Sequence, residues 1–448
     1  MYILHVCLGD PYCHQGGLNL YCRELLEEQR KVGNRAAILY PGTFIHSKYP
    51  MMIRTGSDKY EILDALPVAI TYGINAPDRY MVPVNKKVFL RFLQNQKPDI
   101  IHIHSVQGIH IEFFEAAKEL NIPMIFTTHD YYLVCRKCIL IDQTDQLCSG
   151  GTSEKCAECN ANSGLSAMKQ RIIQSALYQI CKNSTIVRNV KKNTTPEKAE
   201  SPDSSLCVPE HPETYALLQN YYTRMQSLFN LIHCNSTGSY NVYHTAFPTQ
   251  SMKIVPITHE GLKRENHKRS NICRITYMGG ESAHKGYTLL MDAVRLLCKN
   301  ASAPTWQLNL YGGIFQVREI DDERVCYHGY FGRDEAEEVW SSTDILVMPS
   351  QCRETFGFVL LEALCRGIPV ICSDLVGAKD LNLPDFVFHY NNAVQLYEKM
   401  LYLSDPENYS EVQKRISKME LQTDMKEHTK AILKLYAENK NEHNSINK

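Results

Sequence analysis

The chain has 448 residues, 44% apolar and 22% charged, with 48 Lys and Arg against 49 Asp and Glu. That length exceeds one compact domain and favours two, and the balanced charge excludes both a basic nucleic-acid footprint and an acidic tail. No apolar run reaches the roughly 18 residues of a membrane span; seventeen cysteines without an export signal point to a reducing cytoplasm, where thiols stay free or bind metal.

Residues 2–8 read as a buried first strand. Gly16-Gly17 then open an amphipathic helix over 18–32, with Leu18, Cys22, Leu25, Leu26, Gln29 and Val32 at helical spacing. Paired glycines at a loop-to-helix junction let backbone N–H groups approach a phosphate or hydroxyl with no Cβ between. The same pair is also an ordinary turn, and the spaced glycines of a dinucleotide fingerprint are missing. Further strands are expected at 36–40 and 68–71, then at 99–104 and 124–130, the last two ending near His. A His at a strand's carboxyl end faces the ligand crevice of an open α/β sheet. His102 reads as a hydrogen-bonded structural group. His129 reads as a site residue, because Asp130 beside it can fix a ring tautomer.

Five cysteines follow: Cys135, Cys138, Cys148, Cys156 and Cys159. The outer pairs read C-x2-C twice, the spacing of a four-thiolate structural zinc site built from two hairpin knuckles. Cys148 can replace Cys138 as fourth ligand; an iron–sulfur cluster and free thiols are the alternatives. A segment this polar and short of apolar residues needs such a staple to fold.

Residues 166–182 form an amphipathic pattern that suits either a core face or an anionic membrane surface. Residues 191–212 read as a flexible loop. Strands are expected at 228–234 and 252–255 around a turn at 235–238, and the charged stretch 257–269 reads as the domain boundary. A second α/β run begins at 272–278, followed by Gly279-Gly280 and by Lys285-Gly286, a Gly-rich turn with Lys that suits a diphosphate or is simply exposed. Strands at 307–311, 325–328, 344–348, 368–372 and 386–388 continue it, with helices at 287–298, 334–340, 393–403 and 409–438 and a frayed end beyond Glu438.

Between the strands at 344–348 and 368–372 lie two carboxylates, Glu354 in a loop and Glu362 in a helix, about 12 Å apart if every position rises helically. The N–H groups near Gly357 stand at that helix's N-terminus, where an anion is favoured. Hydroxyl-binding carboxylates at both ends and an anion site between suit a sugar–diphosphate–ribose ligand.

Glu354 and Glu362 form a Glu-x7-Glu signature. With Gly16-Gly17, the 99–104 strand, Thr128-His129-Asp130 and Lys285-Gly286, it resembles the family-4 retaining glycosyltransferases; the His-Asp-Tyr-Tyr run before the cysteines is similar to a bacterial subgroup of surface-polysaccharide assembly. The resemblance implies an α/β GT-B fold, two Rossmann-like domains with parallel sheets facing across a cleft. Its expected domains are 1–258 (with the cysteine-rich insertion 131–165 and the loop 191–212), 259–425, and a C-terminal helix and tail, 426–448. It implies a nucleotide-diphosphate-sugar donor, a glycan or polyprenyl-diphosphate-linked acceptor and contact with the inner membrane face. No Asp-x-Asp motif sits where it could serve a diphosphate, so no catalytic metal is expected, and the balanced charge speaks against nucleic acid. Carried onto this chain, Glu354 binds donor-sugar hydroxyls beside the N–H groups of Phe356, Gly357 and Phe358, and Glu362 holds the ribose. Lys285 neutralises the diphosphate, Gly16 and Gly17 approach it, and His129 contacts the sugar near the reacting centre. One departure stands out: the family's Arg after the first glycine of the turn is Gly280 here, leaving Arg353 or His284 to supply a second cation. That loss keeps open a relic that binds nucleotide sugar without transfer; a nucleotide-sugar epimerase is the other alternative.

Overall fold

A computed structural model describes residues 1–13, 16–45, 49–161, 163–164, 169, 172, 212–262 and 264–446. The chain divides into two compact units. One holds Met1–Asn235, Tyr240–Val255 and the segment from Met425 onward; the other holds Ser236–Ser239 and Pro256–Asp424.

Among the described residues, the first unit carries an eight-stranded sheet: β1 (Tyr2–Val6), β2 (Arg35–Pro41), β3 (Met51–Gly56), β4 (Lys59–Leu63), β5 (Ile100–Ile103), β6 (Met124–Thr127), β7 (Leu231–Cys234) and β8 (Met252–Ile254), in the order β3-β4-β2-β1-β5-β6-β7-β8. All neighbours run parallel except the β3–β4 hairpin. β1, β5, β6 and β7 are buried along their whole length, as strands covered on both faces must be, and they are accordingly near-continuous apolar runs. The chain reverses direction across the sheet at β1 and β5, with β2 on one side and β6 on the other. Such a switch point opens a crevice beyond the strands' carboxyl ends.

Among the described residues, the second unit has a wholly parallel six-stranded sheet: β9 (Cys273–Tyr277), β10 (Trp306–Tyr311), β11 (Val325–Gly329), β12 (Ile345–Met348), β13 (Val370–Ser373) and β14 (Val387–Phe388), in the order β11-β10-β9-β12-β13-β14. Its switch point lies between β9 and β12. At their amino ends Asp344, fully buried, accepts from the Arg274 guanidinium at 3.0 Å and from His267 at 2.7 Å, which ties the two strands together at the foot of the sheet.

Several expectations are corrected. Residues 68–71 are not a strand. Ile70 sits at φ +53°, its N–H donates to Gln107 at 2.7 Å and its carbonyl accepts from the Cys138 thiol at 3.1 Å, so its backbone is committed to side chains. The missed partner of that edge is the β3–β4 hairpin, whose Arg54, Thr55, Lys59 and Glu61 dilute any apolar run. A helix Thr237–Ala246 begins inside the expected turn at 235–238; the Ser236 hydroxyl accepts the Ser239 N–H at 3.0 Å and starts it. The helix expected over 409–438 is two, Pro406–Ser417 and Met425–Ile446. Nor does the chain fray at Glu438: Asn439 is buried and the Lys440 ammonium bonds Asp99 at 2.7 Å. The amphipathic pattern at 166–182 and the loop at 191–212 lie outside the described residues, apart from isolated positions. Among the described residues no helix is long and apolar enough to cross a membrane.

Candidate functional site

The second unit gathers its polar groups at the carboxyl ends of β9 and β12, at the switch point. After β9 the chain turns through Gly279-Gly280 and a single 3-10 turn, Ala283–Lys285, and enters the helix Tyr287–Lys299. After β12 it forms the loop 349–357. The two loops are bonded together: the His284 carbonyl accepts from the N–H groups of Gln351 at 2.8 Å and Cys352 at 3.2 Å. Gly286, at φ +81°, packs so closely on Pro349 that a Cβ would overlap its carbonyl oxygen. This junction sets Lys285 against Glu354, Nζ to Oε1 at 2.9 Å. Ser350 also donates to that carboxylate oxygen. Burial alone would depress the Lys285 ammonium, but the charge and hydrogen bond of Glu354 outweigh it and raise the group above its ordinary value. The cation is therefore kept at every physiological pH.

Gly357 follows at φ +100° and caps the helix Phe358–Cys365. A side chain there would be strained by the backbone and would crowd the Glu354 carboxylate, at 3.3 Å from its Oε2. The leading N–H groups of that helix have no intrahelical acceptors, which makes its N-terminus an anion-binding end. Phe356 is buried, and its carbonyl accepts from Ala378 at 2.7 Å, which anchors the loop to the segment after β13. One turn into the helix, Glu362 Oε1 faces His259 Nε2 at 3.1 Å, while His259 Nδ1 donates to the Glu260 carbonyl at 2.7 Å. His259 also stacks edge-on against Phe358. Sequence reasoning missed this histidine, because it lies in a charged stretch that reads only as a boundary. Arg353 is half-buried and makes no ion pair or hydrogen bond among the described residues.

Gly280 has a structural reason. It sits at φ +61° against the Gly312-Gly313 turn after β10, and a Cβ would overlap the Gly312 carbonyl oxygen. No arginine fits there on this backbone.

In the first unit, Gly16 (φ +114°) and Gly17 are exposed at the amino end of the helix Gly17–Lys31, beyond the carboxyl end of β1; open space surrounds the place of a Gly16 Cβ. His129 follows β6. Its Nε2 lies 3.2 Å from His104 Nδ1 and its ring 5.0 Å from that of Tyr21. The expectation that Asp130 orients His129 is corrected: the Asp130 carboxylate accepts the Tyr132 N–H at 2.9 Å, and the ring's Nε2 is bonded to His104. Burial pushes His129 down to about 3, helped by the neighbouring His233 and His428, so it is neutral.

The cysteines divide. Cys135, Cys148, Cys156 and Cys159 line one cavity, whereas Cys138 (φ +63°) is buried with its thiol on the Ile70 carbonyl. The paired-hairpin picture is corrected too. Cys148 follows a short hairpin bridged at Ile141 and Leu147, but Cys156 and Cys159 lie on the helix Ser153–Asn160. Gly151 makes room for the Cys156 sulfur, which would sit 2.6 Å from a Cβ there.

Residues 15–146 match the family model described as Glycosyltransferase Family 4, and residues 273–405 match the one described as Glycosyl transferases group 1. Among curated proteins the chain is 27% identical over 141 residues to an uncharacterized 41.2 kDa protein in the cps region of Klebsiella pneumoniae. It is 30% identical over 139 residues to a phosphatidyl-myo-inositol mannosyltransferase of Propionibacterium freudenreichii. Each match takes in 30% of this chain, and 38% and 35% of the respective relative. Among solved structures, HepE of Anabaena, crystallised with UDP and glucose, superposes with a TM-score of 0.53 at 13% identity, covering 98% of this chain and 99% of that one. The fold is GT-B.

Proposed function

With one unit matching glycosyltransferase family 4 and the other glycosyl transferases group 1, we propose that this chain is a retaining glycosyltransferase. It moves a hexose-type sugar from a nucleotide-diphosphate sugar to a glycan or lipid-linked acceptor in surface-polysaccharide synthesis, at the cytoplasmic face of the membrane. The observation that carries the reading is the Lys285–Glu354 pair, held at the switch point of the second sheet beside the amino end of the helix bearing Glu362. The similarity to a mannosyltransferase and to a cps-region protein supports the sugar class and the pathway.

In this reading Glu362 takes the ribose hydroxyls, and the helix N-terminus with Lys285 takes the diphosphate. Glu354 takes the sugar hydroxyls; Gly16, Gly17 and His129 keep the roles that the resemblance implies. When the bond between the anomeric carbon and phosphate oxygen breaks, negative charge grows on the leaving diphosphate. Lys285 and Arg353 are the cations for it, since Gly280 admits none. The leaving phosphate accepts the acceptor's hydroxyl proton, so no separate base is required and catalysis is positioning plus charge stabilisation. The test is release of nucleoside diphosphate from a panel of UDP-, GDP- and dTDP-sugars by the wild type and Glu354→Gln. Acceptor-dependent release by the wild type, abolished in the variant, is the expected result. Tight binding with no turnover would favour the relic, and conversion without acceptor an epimerase.

We also propose a structural zinc held by Cys135, Cys148, Cys156 and Cys159, which line one cavity. Their sulfurs are not gathered within 4.8 Å of one another, so the thiols would have to close on the ion; a full thiolate set leaves no open position for catalysis. Burial raises the Cys156 thiol to about 11 and raises Cys159 as well, so binding would expel protons. Metal analysis should find one zinc per chain, lost in Cys148→Ser and kept in Cys138→Ser; retention in the first variant would sink this ligand set.

A further inference from the structure

Behind His129 lies a run of buried polar groups that the proposed reaction does not use. His233 Nε2 meets the Val255 carbonyl at 2.7 Å, and its Nδ1 meets the Thr127 hydroxyl at 2.9 Å. Thr127 meets His102 Nε2 at 2.6 Å, and His102 Nδ1 meets the Tyr436 hydroxyl at 2.6 Å. The Gln29 amide joins Tyr436 at 3.1 Å to His5 Nε2 at 2.8 Å. His5 Nδ1 meets His104 Nε2 at 2.9 Å, and His104 Nδ1 meets His129 Nε2 at 3.2 Å. The strands β1, β5, β6 and β7 and the helices Gly17–Lys31 and Met425–Ile446 all contribute.

The direction of these eight bonds follows from one end. A carbonyl only accepts, so His233 Nε2 carries the proton and donates to Val255. A neutral His233 then accepts at Nδ1 from the Thr127 hydroxyl. Thr127 has a single proton, so it accepts from His102 Nε2, and His102 Nδ1 accepts from Tyr436. The Tyr436 oxygen accepts from Gln29 Nε2, and Gln29 Oε1 accepts from His5. His5 Nδ1 accepts from His104, and His104 Nδ1 accepts from His129. Running the run backwards would require both nitrogens of His233 to carry protons. Burial forbids that imidazolium and holds His233 near 4. None of the nine groups is a carboxylate that could compensate it.

We propose that this one-way chain of hydrogen bonds, from the Val255 carbonyl to His104, holds His129 as the tautomer protonated at Nε2, with Nδ1 as a hydrogen-bond acceptor. Its eight members are positioning residues. Resting on the proposed function, His129 then reads a hydroxyl of the donor sugar as an acceptor and is not a general acid. A metal is the competing use of the cluster, since His5, His102 and His104 bring ring nitrogens within 4.8 Å of one another. All six nitrogens of that triad are already bonded within the run, so a metal would have to displace several of these bonds.

The test is side-chain nitrogen NMR on the full chain labelled with 15N-histidine, the His129 signals being assigned by their loss in His129→Gln. The free protein should show a proton on His129 Nε2 and none on Nδ1. Thr127→Val, which keeps the shape and removes the hydroxyl, and Tyr436→Phe should each produce a mixed His129 tautomer, while Thr127→Ser restores the single one. A wild-type His129 protonated at Nδ1 or mixed overturns the proposal, even where a variant fails to fold. So does a single unchanged tautomer in both folded variants, or a stoichiometric metal whose removal changes the histidine spectrum. UDP-glucose titration separates the two readings. A Thr127→Val protein that binds UDP-glucose about fivefold more weakly, with UDP unchanged, supports the chain of bonds. Failure of the wild type to bind any nucleotide sugar removes the proposed function and leaves the tautomer result standing.

Discussion

The two sheets end in opposite kinds of chemistry. At the carboxyl end of the second, a charged pair stands at the edge of water: the Lys285 side chain is 47% exposed and its partner Glu354 only 12%. At the carboxyl end of the first, polar groups are buried and neutral, with His5, His102, His104 and His233 essentially inaccessible. Under the proposed function, the difference matches what each end would hold. A diphosphate brings charge, and a cation must stay solvated until it arrives. A sugar hydroxyl brings only direction, and direction is best supplied by groups whose own bonds are already fixed, because a fully satisfied buried network is stiff.

The largest effect expected from this contrast is on stability in acid. Burial lowers His5 and His233 to about 4 and His129 to about 3, from 6.5. Between those values and pH 6.5 the unfolded chain binds protons that the folded sites refuse, so stability is full above about pH 6.5 and falls as the pH drops. Each group contributes about 1.4 kcal/mol per pH unit, so the three together cost about 4 kcal/mol per unit. Hydrogen exchange at pH 7.5 and 5.5, corrected for intrinsic rates, should show the first unit's strands opening in acid well before those of the second. Equal protection in both would break the comparison.

Next in size is the charged end. Lys285→Met should lower the turnover of whichever nucleotide sugar is used by about 10²- to 10³-fold, the range for removing a group that meets developing charge, with a much smaller change in KM. A loss confined to KM would mean that Lys285 binds the ground state only. Arg353→Met should cost less, because its guanidinium is not fixed by any bond among the described residues. The missing family arginine gives a third measurement. Gly280→Arg should not raise activity; it should destabilise the protein by about 1–3 kcal/mol, seen as a lower melting temperature, because position 280 combines positive φ with contact on the Gly312 carbonyl.

What could be read in the sequence follows the same division. The second unit's site is local: Glu354, Gly357 and Glu362 share one strand–loop–helix unit, and Lys285 sits in the turn of another, so spacing alone exposed it. Its strands are short apolar runs and were equally plain. The first unit's network is non-local. Gln29 bonds Tyr436 across 407 positions, and Tyr436 bonds His102 across 334; no spacing rule joins residues so distant. His102 looked structural because it stands inside an apolar strand, and it is fully buried. The β3–β4 hairpin was missed because a partly exposed edge carries mixed polarity, and residues 68–71 misled because an apolar tetrapeptide can be held by side chains as well as by a strand.

The smallest effect tests what holds the C-terminal helix to the first unit. Met425–Ile446 offers two kinds of contact: a buried face with Ile432, Leu435 and Tyr436, and exposed ion pairs at Lys440–Asp99 and Lys253–Glu438. Hydrogen bonding to Lys440, together with the Tyr2 N–H, holds the Asp99 carboxyl below its usual value, yet both partners of the pair are near 40% exposed. Solvent and salt screen such a pair, so Lys440→Met should cost at most about 1 kcal/mol, and the difference should vanish in 0.5–1 M salt, roughly where the screening length falls toward 3 Å. Leu435→Ala, next to the buried Tyr436, should cost about 2–5 kcal/mol whatever the salt. If the lysine proved the costlier of the two, the helix would be held by charge, and the division between a charged second unit and a neutral first would not extend to the chain's own end.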